Sequence, residues 1–235
     1  MKKRRKLRWA ASVIAHKLRR MELRCSAFLF DLDGVLVDSR AVVERVCRTW
    51  ALRHGLDPER VMRIAHGRRA RDTVKAVAPH LDIAREVEWI DAAELTDVDG
   101  LQEVSGVRRF LAALDAGAWA VVTSCGPDLA TLRLNSVGLP IPDVLVTSAD
   151  VSLGKPAPDG YQLGAQRLGQ EPVKCVVFED APPGIAAGRA AGARVVALST
   201  TYPDADFTGA EAIIRDFTGV RVLRDHSGYV LSVPD

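Results

Sequence analysis

The chain has 235 residues, and 48% of them are apolar, which is enough to bury one large core and excludes a chain that is disordered as a whole. The net charge of +2 is unevenly distributed: nine of the 32 basic residues and none of the 30 acidic ones lie in residues 1–20, so the rest carries about −7. This acidic body argues against nucleic acid as its partner. No apolar run reaches the roughly 18 to 20 residues that a membrane-spanning helix needs.

Two features of the sequence bear on where the protein works. The four cysteines lie far apart and form no C-x-x-C pair, so we expect neither a zinc site nor disulfides, and we predict a cytoplasmic protein. The N-terminal segment begins with basic residues as a secretory signal does, but His16 and Lys17 interrupt its apolar stretch, so export is not expected. We expect residues 1–20 to be a disordered extension, or Met21 to be the true first residue. The alternative is a contact with an anionic membrane or RNA.

From residue 27 onward, short apolar runs rich in β-branched residues alternate with stretches of helical length. Continuous apolar runs indicate strands that are covered on both faces, and strands that alternate with helices predict a doubly wound, Rossmann-like parallel sheet. The predicted strands are Ala27–Leu32, Trp119–Thr123, Asp143–Thr147, Val173–Phe178, Arg194–Leu198 and Ala212–Ile214. The predicted helices are Gly106–Gly117, Pro127–Gly138, Asp159–Gly169 and Pro183–Gly192.

One part of the chain breaks this alternation. Residues 39–103 contain only helix-like segments, separated at residues 55–58, 78–80 and 97–100, which predicts a small helical cap inserted after the first strand. We therefore divide the chain into an extension (1–20), a core (21–38 and 104–235) and a cap (39–103). Two apolar runs within residues 220–233, with a turn at residues 225–228, predict a hairpin near the C-terminus.

Polar side chains follow four of the predicted strands, at the point where each strand ends. Because the carboxyl ends of parallel strands meet at one edge of a sheet, we expect these side chains to lie close together. They are Asp31 and Asp33 after the first strand, Thr123 and Ser124 after the second, Lys155 after the third, and Glu179 and Asp180 after the fourth.

These residue types suit a phosphate substrate. A carboxylate such as Asp31 can act as a nucleophile and divide phosphoryl transfer into two easier displacements. Mg²⁺ held by carboxylates would offset the repulsion between that anion and the phosphate, and Lys155 and the Thr123 hydroxyl would hold the phosphate oxygens. Asp33 can protonate the leaving oxygen and then take a proton from water.

Each of these residues also has an ordinary structural explanation. An aspartate after a strand often caps a helix or forms a turn, and Thr123-Ser124 can be a capping pair. Lys155 before Pro156 can be an exposed lysine, and Glu179-Asp180 can be a solvated loop. The catalytic interpretation is favoured because all four groups occur together and in strand order.

The segment Phe30–Ser39 (FDLDGVLVDS), together with Thr123, Lys155-Pro156 and Glu179-Asp180, resembles the four motifs of the haloacid dehalogenase superfamily of phosphohydrolases. The resemblance extends over about residues 27–200. It implies that Asp31 is the nucleophile, that Asp33 is the general acid and base, and that the phosphate is bound by Thr123, Ser124 and Lys155. It further implies that Mg²⁺ is held by Asp31, the carbonyl of Asp33, Glu179 and Asp180, with Glu179 either ligating or supporting.

Within this superfamily, the second aspartate favours phosphate esters over carbon–halogen bonds, since a halide leaves without a proton. The segments His66–Arg69, Trp119–Ser124 and Val177–Gly188 are similar to the branch that contains glycerol-3-phosphatase and 2-deoxyglucose-6-phosphatase. This similarity implies that Arg68 and Arg69 of the cap contact a polar leaving group. The alternative for these two arginines is a solvated basic patch.

Two further functions stay open beside a phosphatase for a small sugar or polyol phosphate. One is a hexose phosphate mutase of the β-phosphoglucomutase type, although Ala70 stands where the mutases carry an arginine for a second phosphate. The other is a non-catalytic binding protein tethered by its basic tail. We expect Cys125, which borders the second motif, to be a spectator thiol, and we expect a monomer. The run of small residues Gly184–Ala193 predicts a helix packed closely against the sheet.

Overall fold

A computed structural model describes residues 20–201 and 206–234, and its main sheet has six parallel strands. The strands are β1 (Arg20–Cys25), β2 (Ala27–Phe30), β3 (Val37–Asp38), β4 (Gln102–Glu103), β5 (Trp119–Val122), β6 (Val144–Val146), β7 (Cys175–Glu179), β8 (Arg194–Leu198), β9 (Ala212–Ile214), β10 (Arg221–Asp225) and β11 (Gly228–Pro234). The parallel sheet has the order β6-β5-β2-β7-β8-β9. All six of its strands were predicted from the sequence.

Eight α-helices lie in the described ranges. They are α1 (Arg40–Arg53), α2 (Pro58–Ala65), α3 (Ala70–Val77), α4 (Ile83–Thr96), α5 (Val107–Leu111), α6 (Pro127–Ser136), α7 (Asp159–Arg167) and α8 (Pro182–Ala190). None of the described helices is long and apolar enough to cross a lipid bilayer. The expectation for residues 1–20 concerns residues outside the described ranges, except that residue 20 begins β1.

Helices cover both faces of the parallel sheet, which explains why its strands are continuously apolar. In β2, Phe28 and Phe30 pack into one hydrophobic cluster with α5 and α6, while Leu29 packs into a second cluster with α7 and α8. Phe30 stacks on Phe178 of the neighbouring strand at 5.1 Å between ring centroids. Complete burial of such a side chain contributes about 1.5–3 kcal/mol, so these central strands are held firmly in place. The predicted fold class is confirmed.

A second sheet, antiparallel with the order β1-β11-β10, packs against the first cluster. The predicted hairpin is β10 and β11, in which Asp225 pairs with Gly228 across the turn. β1 was not predicted, although its sequence alternates: Leu23 and Cys25 are buried, while Glu22 and Arg24 are exposed. The strand forms because β11 offers it a partner along its whole length.

The helices α1–α4 form an insert between β3 and β4, two short strands that pair with each other where the chain leaves and re-enters the core. The insert has a hydrophobic cluster of its own around Trp50. Its helices stop at the predicted breaks, and Asp57 caps α2 by accepting a hydrogen bond from the backbone N–H of Glu59. The division of the chain at residues 38/39 and 103/104 into domains stays a prediction.

Two helices differ from the prediction. The insert has an additional break at residues 66–69, where Gly67 has a φ of +69° and lies against Ala181 of the core. A side chain at this position would be strained and would also meet Ala181. The predicted helix from residue 106 ends early, at Leu111, and Asp115 beyond it is held by Tyr229, whose hydroxyl accepts from the Asp115 backbone N–H and donates to its carboxylate. Both regions contact distant parts of the chain.

Candidate active site

The predicted site residues come together at one edge of the parallel sheet. β2, β5 and β7 run in the same direction, and Asp31, Thr123 and Asp180 follow directly after them. A cavity of about 690 Å³ lies between this edge and the helical insert. Asp31, Asp33, Ser124 and Asp180 contribute to its wall. The convergence that was expected from strand order is therefore present in the structure.

Lys155 joins two buried carboxylates at this edge. Its Nζ lies 2.8 Å from Oδ1 of Asp31 and 2.6 Å from Oε1 of Glu179, and all three side chains are almost fully buried. Burial raises the pKa of Asp31 to about 7, although Lys155 acts in the opposite direction. Burial tends to lower the pKa of Lys155, but the two carboxylates outweigh it and raise that pKa above its ordinary value. The lysine is therefore charged and stabilises the anionic form of Asp31.

Glu179 is saturated with hydrogen bonds. Besides the contact with Lys155, its Oε1 accepts a hydrogen bond of 2.8 Å from the hydroxyl of Tyr161, which is also fully buried. Its Oε2 accepts hydrogen bonds from the backbone N–H groups of Asp180 (3.0 Å) and Ala181 (3.2 Å). This arrangement holds Glu179 rigidly beside Lys155. Tyr161 was not predicted as a site residue. In the sequence, an aromatic residue of a helix that covers a sheet has the same pattern as an ordinary core residue.

Among the described residues, one group of three carboxylates lies close enough together that it could hold a metal ion. Oxygens of Asp31, Glu179 and Asp180 lie within 4.8 Å of one another, and all three residues are buried. Burial, together with Glu179 and Asp31, raises the pKa of Asp180 well above its usual range. Hard oxygen donors crowded in this way fit a hard divalent cation, which would offset their repulsion. Thr201, which was not predicted from the sequence, donates a hydrogen bond to Oδ2 of Asp180.

Asp33 lies on the cavity wall with both carboxylate oxygens bound. Its Oδ1 accepts a hydrogen bond of 2.6 Å from the Ser39 hydroxyl, and its Oδ2 lies 2.5 Å from Nη1 of Arg133. The other terminal nitrogen of Arg133 lies 2.6 Å from Oε2 of Glu94, in helix α4 of the insert. The Asp33 carboxylate is not one of the three that could hold a metal ion together, and its backbone carbonyl stays the predicted ligand. Arg133 and Glu94 were not predicted from the sequence.

Thr123 and Ser124 lie at the end of β5. Thr123 is buried, and its hydroxyl accepts a hydrogen bond from the backbone N–H of Cys125 and donates to the sulfur, both at 3.3 Å. The Ser124 hydroxyl donates a hydrogen bond of 3.2 Å to the carbonyl of Gly67 in the insert. Burial raises the pKa of the Cys125 thiol to about 12, so it stays protonated and unreactive at neutral pH. The phosphate contacts of Thr123 and Ser124 stay predictions.

The two cap arginines differ in their surroundings. Arg69 forms an ion pair with Asp72 and donates hydrogen bonds of 3.2 Å to the backbone carbonyls of Val151 and Ser152. It therefore fastens the insert to the core, and few of its donors are left for a substrate. Arg68 is exposed and lies on the cavity wall. A contact with the leaving group stays a prediction for both residues.

The chain belongs to the haloacid dehalogenase-like hydrolases, because the model of this family matches residues 25–192. This match, with the relatives described next, confirms three predictions: the family, the fold and the enzyme class, which is a phosphoric monoester hydrolase.

Curated relatives and solved structures show the same likeness. The chain is 39% identical over 214 residues to hexitol phosphatase A of Escherichia coli, an alignment that covers 89% of this chain and 99% of the relative. It is 36% identical over 220 residues to glycerol-1-phosphate phosphohydrolase 2 of Saccharomyces cerevisiae, with 86% of each chain covered. Its structure is similar to that of a hydrolase from Pseudomonas syringae, with a TM-score of 0.73 and 26% identity over 80% of this chain and 92% of the other.

Proposed function

We propose that the protein hydrolyses a small sugar or polyol phosphate monoester in a Mg²⁺-dependent reaction, with Asp31 as nucleophile and Asp33 as general acid and base. The observation that carries this proposal is that the buried Asp31, which lies on the cavity wall with Asp33, is paired with Lys155 at 2.8 Å. Lys155 favours the anionic form of Asp31 against the effect of burial, and the anion is the form that can attack phosphorus.

The reaction has two displacements. Asp31 attacks phosphorus while the bond from phosphorus to the leaving oxygen breaks, and Asp33 gives its proton to that oxygen. Asp33, now a carboxylate, takes a proton from water as the water oxygen attacks phosphorus. The bond between Asp31 and phosphorus breaks in this step. Inorganic phosphate leaves, and Asp31 returns to its starting form.

The carboxylates of Asp31 and Asp180 and the carbonyl of Asp33 would hold Mg²⁺, with Glu179 supporting Lys155. The cation would offset the negative charge of the phosphate and polarise its oxygens. Lys155 neutralises further charge, and the Thr123 and Ser124 hydroxyls hold phosphate oxygens. The insert covers the cavity and excludes bulk water, which strengthens each of these electrostatic contacts.

The substrate class rests on the relatives and on the cavity. Hexitol phosphatase A and glycerol-1-phosphate phosphohydrolase 2 are named for polyol phosphates, and both align over most of their length with this chain. A cavity of about 690 Å³ accommodates a molecule of this size. Exposed donors such as Arg68 and Arg71 on its wall can bind the hydroxyl groups of the leaving group.

The nucleophile is tested with Asp31→Asn. We expect this variant to release no phosphate from a generic aryl phosphate with Mg²⁺ present, while Asp128→Asn on α6 retains the wild-type rate. Phosphate release by Asp31→Asn at the wild-type rate would show that the assignment is wrong.

The substrate is identified by comparing kcat/KM over hexitol phosphates, glycerol phosphates, 2-deoxyglucose 6-phosphate and hexose phosphates.

The reaction product distinguishes the mutase alternative from the proposed phosphatase. A mutase given β-glucose 1-phosphate and a bisphosphate primer forms glucose 6-phosphate, whereas the phosphatase that we propose releases free phosphate.

Gel filtration with light scattering tests the expected monomer. Fractionation of the producing cells tests the expected cytoplasmic location.

A further inference from the structure

The guanidinium group of Arg133 joins the acid/base candidate of the core to the helical insert. Arg133 lies on α6, and its side chain is 3% exposed. One terminal nitrogen lies 2.5 Å from Oδ2 of Asp33, and the other lies 2.6 Å from Oε2 of Glu94, whose side chain is 12% exposed. A buried arginine between two carboxylates makes short, charge-assisted contacts in a fixed planar geometry.

The other oxygen of Asp33 is bound where the insert begins. Ser39, directly before α1, donates the hydrogen bond of 2.6 Å to Oδ1. One contact of Asp33 therefore comes from the start of the insert, and the other is connected through Arg133 to the last helix of the insert. The orientation of the Asp33 carboxylate thus depends on where the insert lies.

We propose that Arg133 is a positioning residue that couples the insert to Asp33 through Glu94. This inference rests on the proposed function, because it concerns the residue that moves the proton. Without the guanidinium, Oδ2 of Asp33 loses its contact, and the carboxylate is no longer held in one orientation to take a proton from water in the second displacement. Removal of the guanidinium therefore slows the second displacement.

An aryl phosphate with a good leaving group separates the two displacements, since its leaving oxygen needs little protonation. With Arg133→Met we expect kcat to fall on the order of ten- to a hundredfold and KM to change far less, as for a misplaced catalytic group. We expect a rapid burst of the aryl alcohol before the steady state, because the phosphorylated enzyme accumulates. Arg133→Lys keeps the charge and should recover part of kcat.

Glu94→Gln tests the coupling without changing Arg133 or Asp33. We expect a smaller loss of kcat, and we expect Arg133→Met/Glu94→Gln to be no slower than Arg133→Met alone, since both substitutions break the same connection. The matched control is Arg45→Met, which removes another arginine–aspartate pair of the insert (2.8 Å to Asp97) away from the cavity. This control should keep the wild-type kcat.

The outcomes separate the two proposals. If the wild-type protein releases phosphate but Glu94→Gln and Arg133→Met keep its kcat and show no burst, the positioning role is overturned and the proposed function stands. If Arg133→Met does not fold, as shown by circular dichroism, Glu94→Gln alone decides. If the wild-type protein releases no phosphate from any ester of the screen, the proposed function fails and this inference fails with it.

Discussion

Gly184 of α8 leaves the space in which the carboxylate of Glu179 lies. A Cβ atom at residue 184 would overlap both the Cδ atom and the oxygens of Glu179. The sequence suggested that the small residues of this helix pack against the sheet, and that holds for Gly188, which lies against Val177 and Val195. Gly184 instead makes room for a charged group of the site.

Gly184→Ala should therefore lower activity. The new methyl group displaces Glu179 from Lys155 and Tyr161, and we expect kcat to fall about tenfold or more, as for other misplaced groups. Gly188→Ala, one turn further along the same helix, is the matched control and should change stability slightly and kcat little. Steady-state kinetics with an aryl phosphate measure both. Equal activity of the two variants would contradict a role for this space.

Tyr161→Phe removes only the hydroxyl that donates to Oε1 of Glu179. We expect the free energy of unfolding to fall by about 1–2 kcal/mol, because a buried acceptor loses one partner. We also expect a reduced kcat. Tyr229→Phe removes a comparable hydroxyl, 2.7 Å from Asp115 and remote from the cavity, so it should lose stability but keep kcat. Urea unfolding and kinetics distinguish the two. A wild-type kcat in Tyr161→Phe would count against the support that we assign to Glu179.

Lys155→Met leaves Asp31 and Glu179 buried without their cation. At pH 8 we expect the free energy of unfolding to fall by about 3–5 kcal/mol, as for other broken buried ion pairs. The pKa of Asp31 is already raised to about 7 by burial, so the anionic form is the costly one, and the loss should be smaller at pH 5. Urea unfolding at both pH values, without divalent cations, is the measurement.

The control for this prediction is Lys174→Met, which breaks an exposed ion pair with Glu171 (3.2 Å). Exposed pairs contribute little, so this variant should be nearly as stable as the wild type at both pH values. A Lys155→Met protein whose loss of stability is the same at pH 5 and pH 8 would contradict the prediction that the anionic form of Asp31 depends on this cation.

Glu94 should make stability depend on pH. Burial raises its pKa to about 7, although Arg133 acts in the opposite direction. A carboxyl group whose pKa is higher in the folded than in the unfolded protein keeps its proton longer when folded, so its contribution to stability falls as pH rises between about 4.5 and 7.

Glu94→Gln removes this titration. The free energy of unfolding of the wild type minus that of Glu94→Gln should decrease by up to about 3 kcal/mol from pH 4.5 to pH 7 and stay constant above pH 8. Urea unfolding in a pH series measures this difference. Glu59→Gln, which removes a carboxylate on the exposed surface of the insert, serves as the control. A constant or rising difference for Glu94→Gln would contradict the prediction.

The edge of the sheet that carries the site could be predicted because its signals are local. Asp31, Thr123 and Asp180 each follow a continuous apolar strand, and parallel strands necessarily end at the same edge. The central strands β2, β5 and β7 could be predicted because burial on both faces produces continuous apolar runs. The hairpin of β10 and β11 has a local signal of the same kind, a turn between two apolar runs.

The residues that support the site have no local signal. Tyr161 and Glu179 are 18 residues apart, Glu94 and Arg133 are 39 apart, and Asp33 and Arg133 are 100 apart. A tyrosine or an arginine within an amphipathic helix looks the same whether it contacts a buried carboxylate or the solvent. The break between α2 and α3 likewise follows from the contact of Gly67 with Ala181 in the core.

The sequence by itself determined the parallel sheet, the helical insert and the set of chemical groups at the carboxyl edge, since each depends on residues that are neighbours in the chain. Only the tertiary structure decided which partner each charged group has: Lys155 between Asp31 and Glu179, and Arg133 between Asp33 and Glu94. The reason is physical. Burial makes an unpaired charge costly, and whether a group is buried and what lies opposite it depend on how distant segments pack.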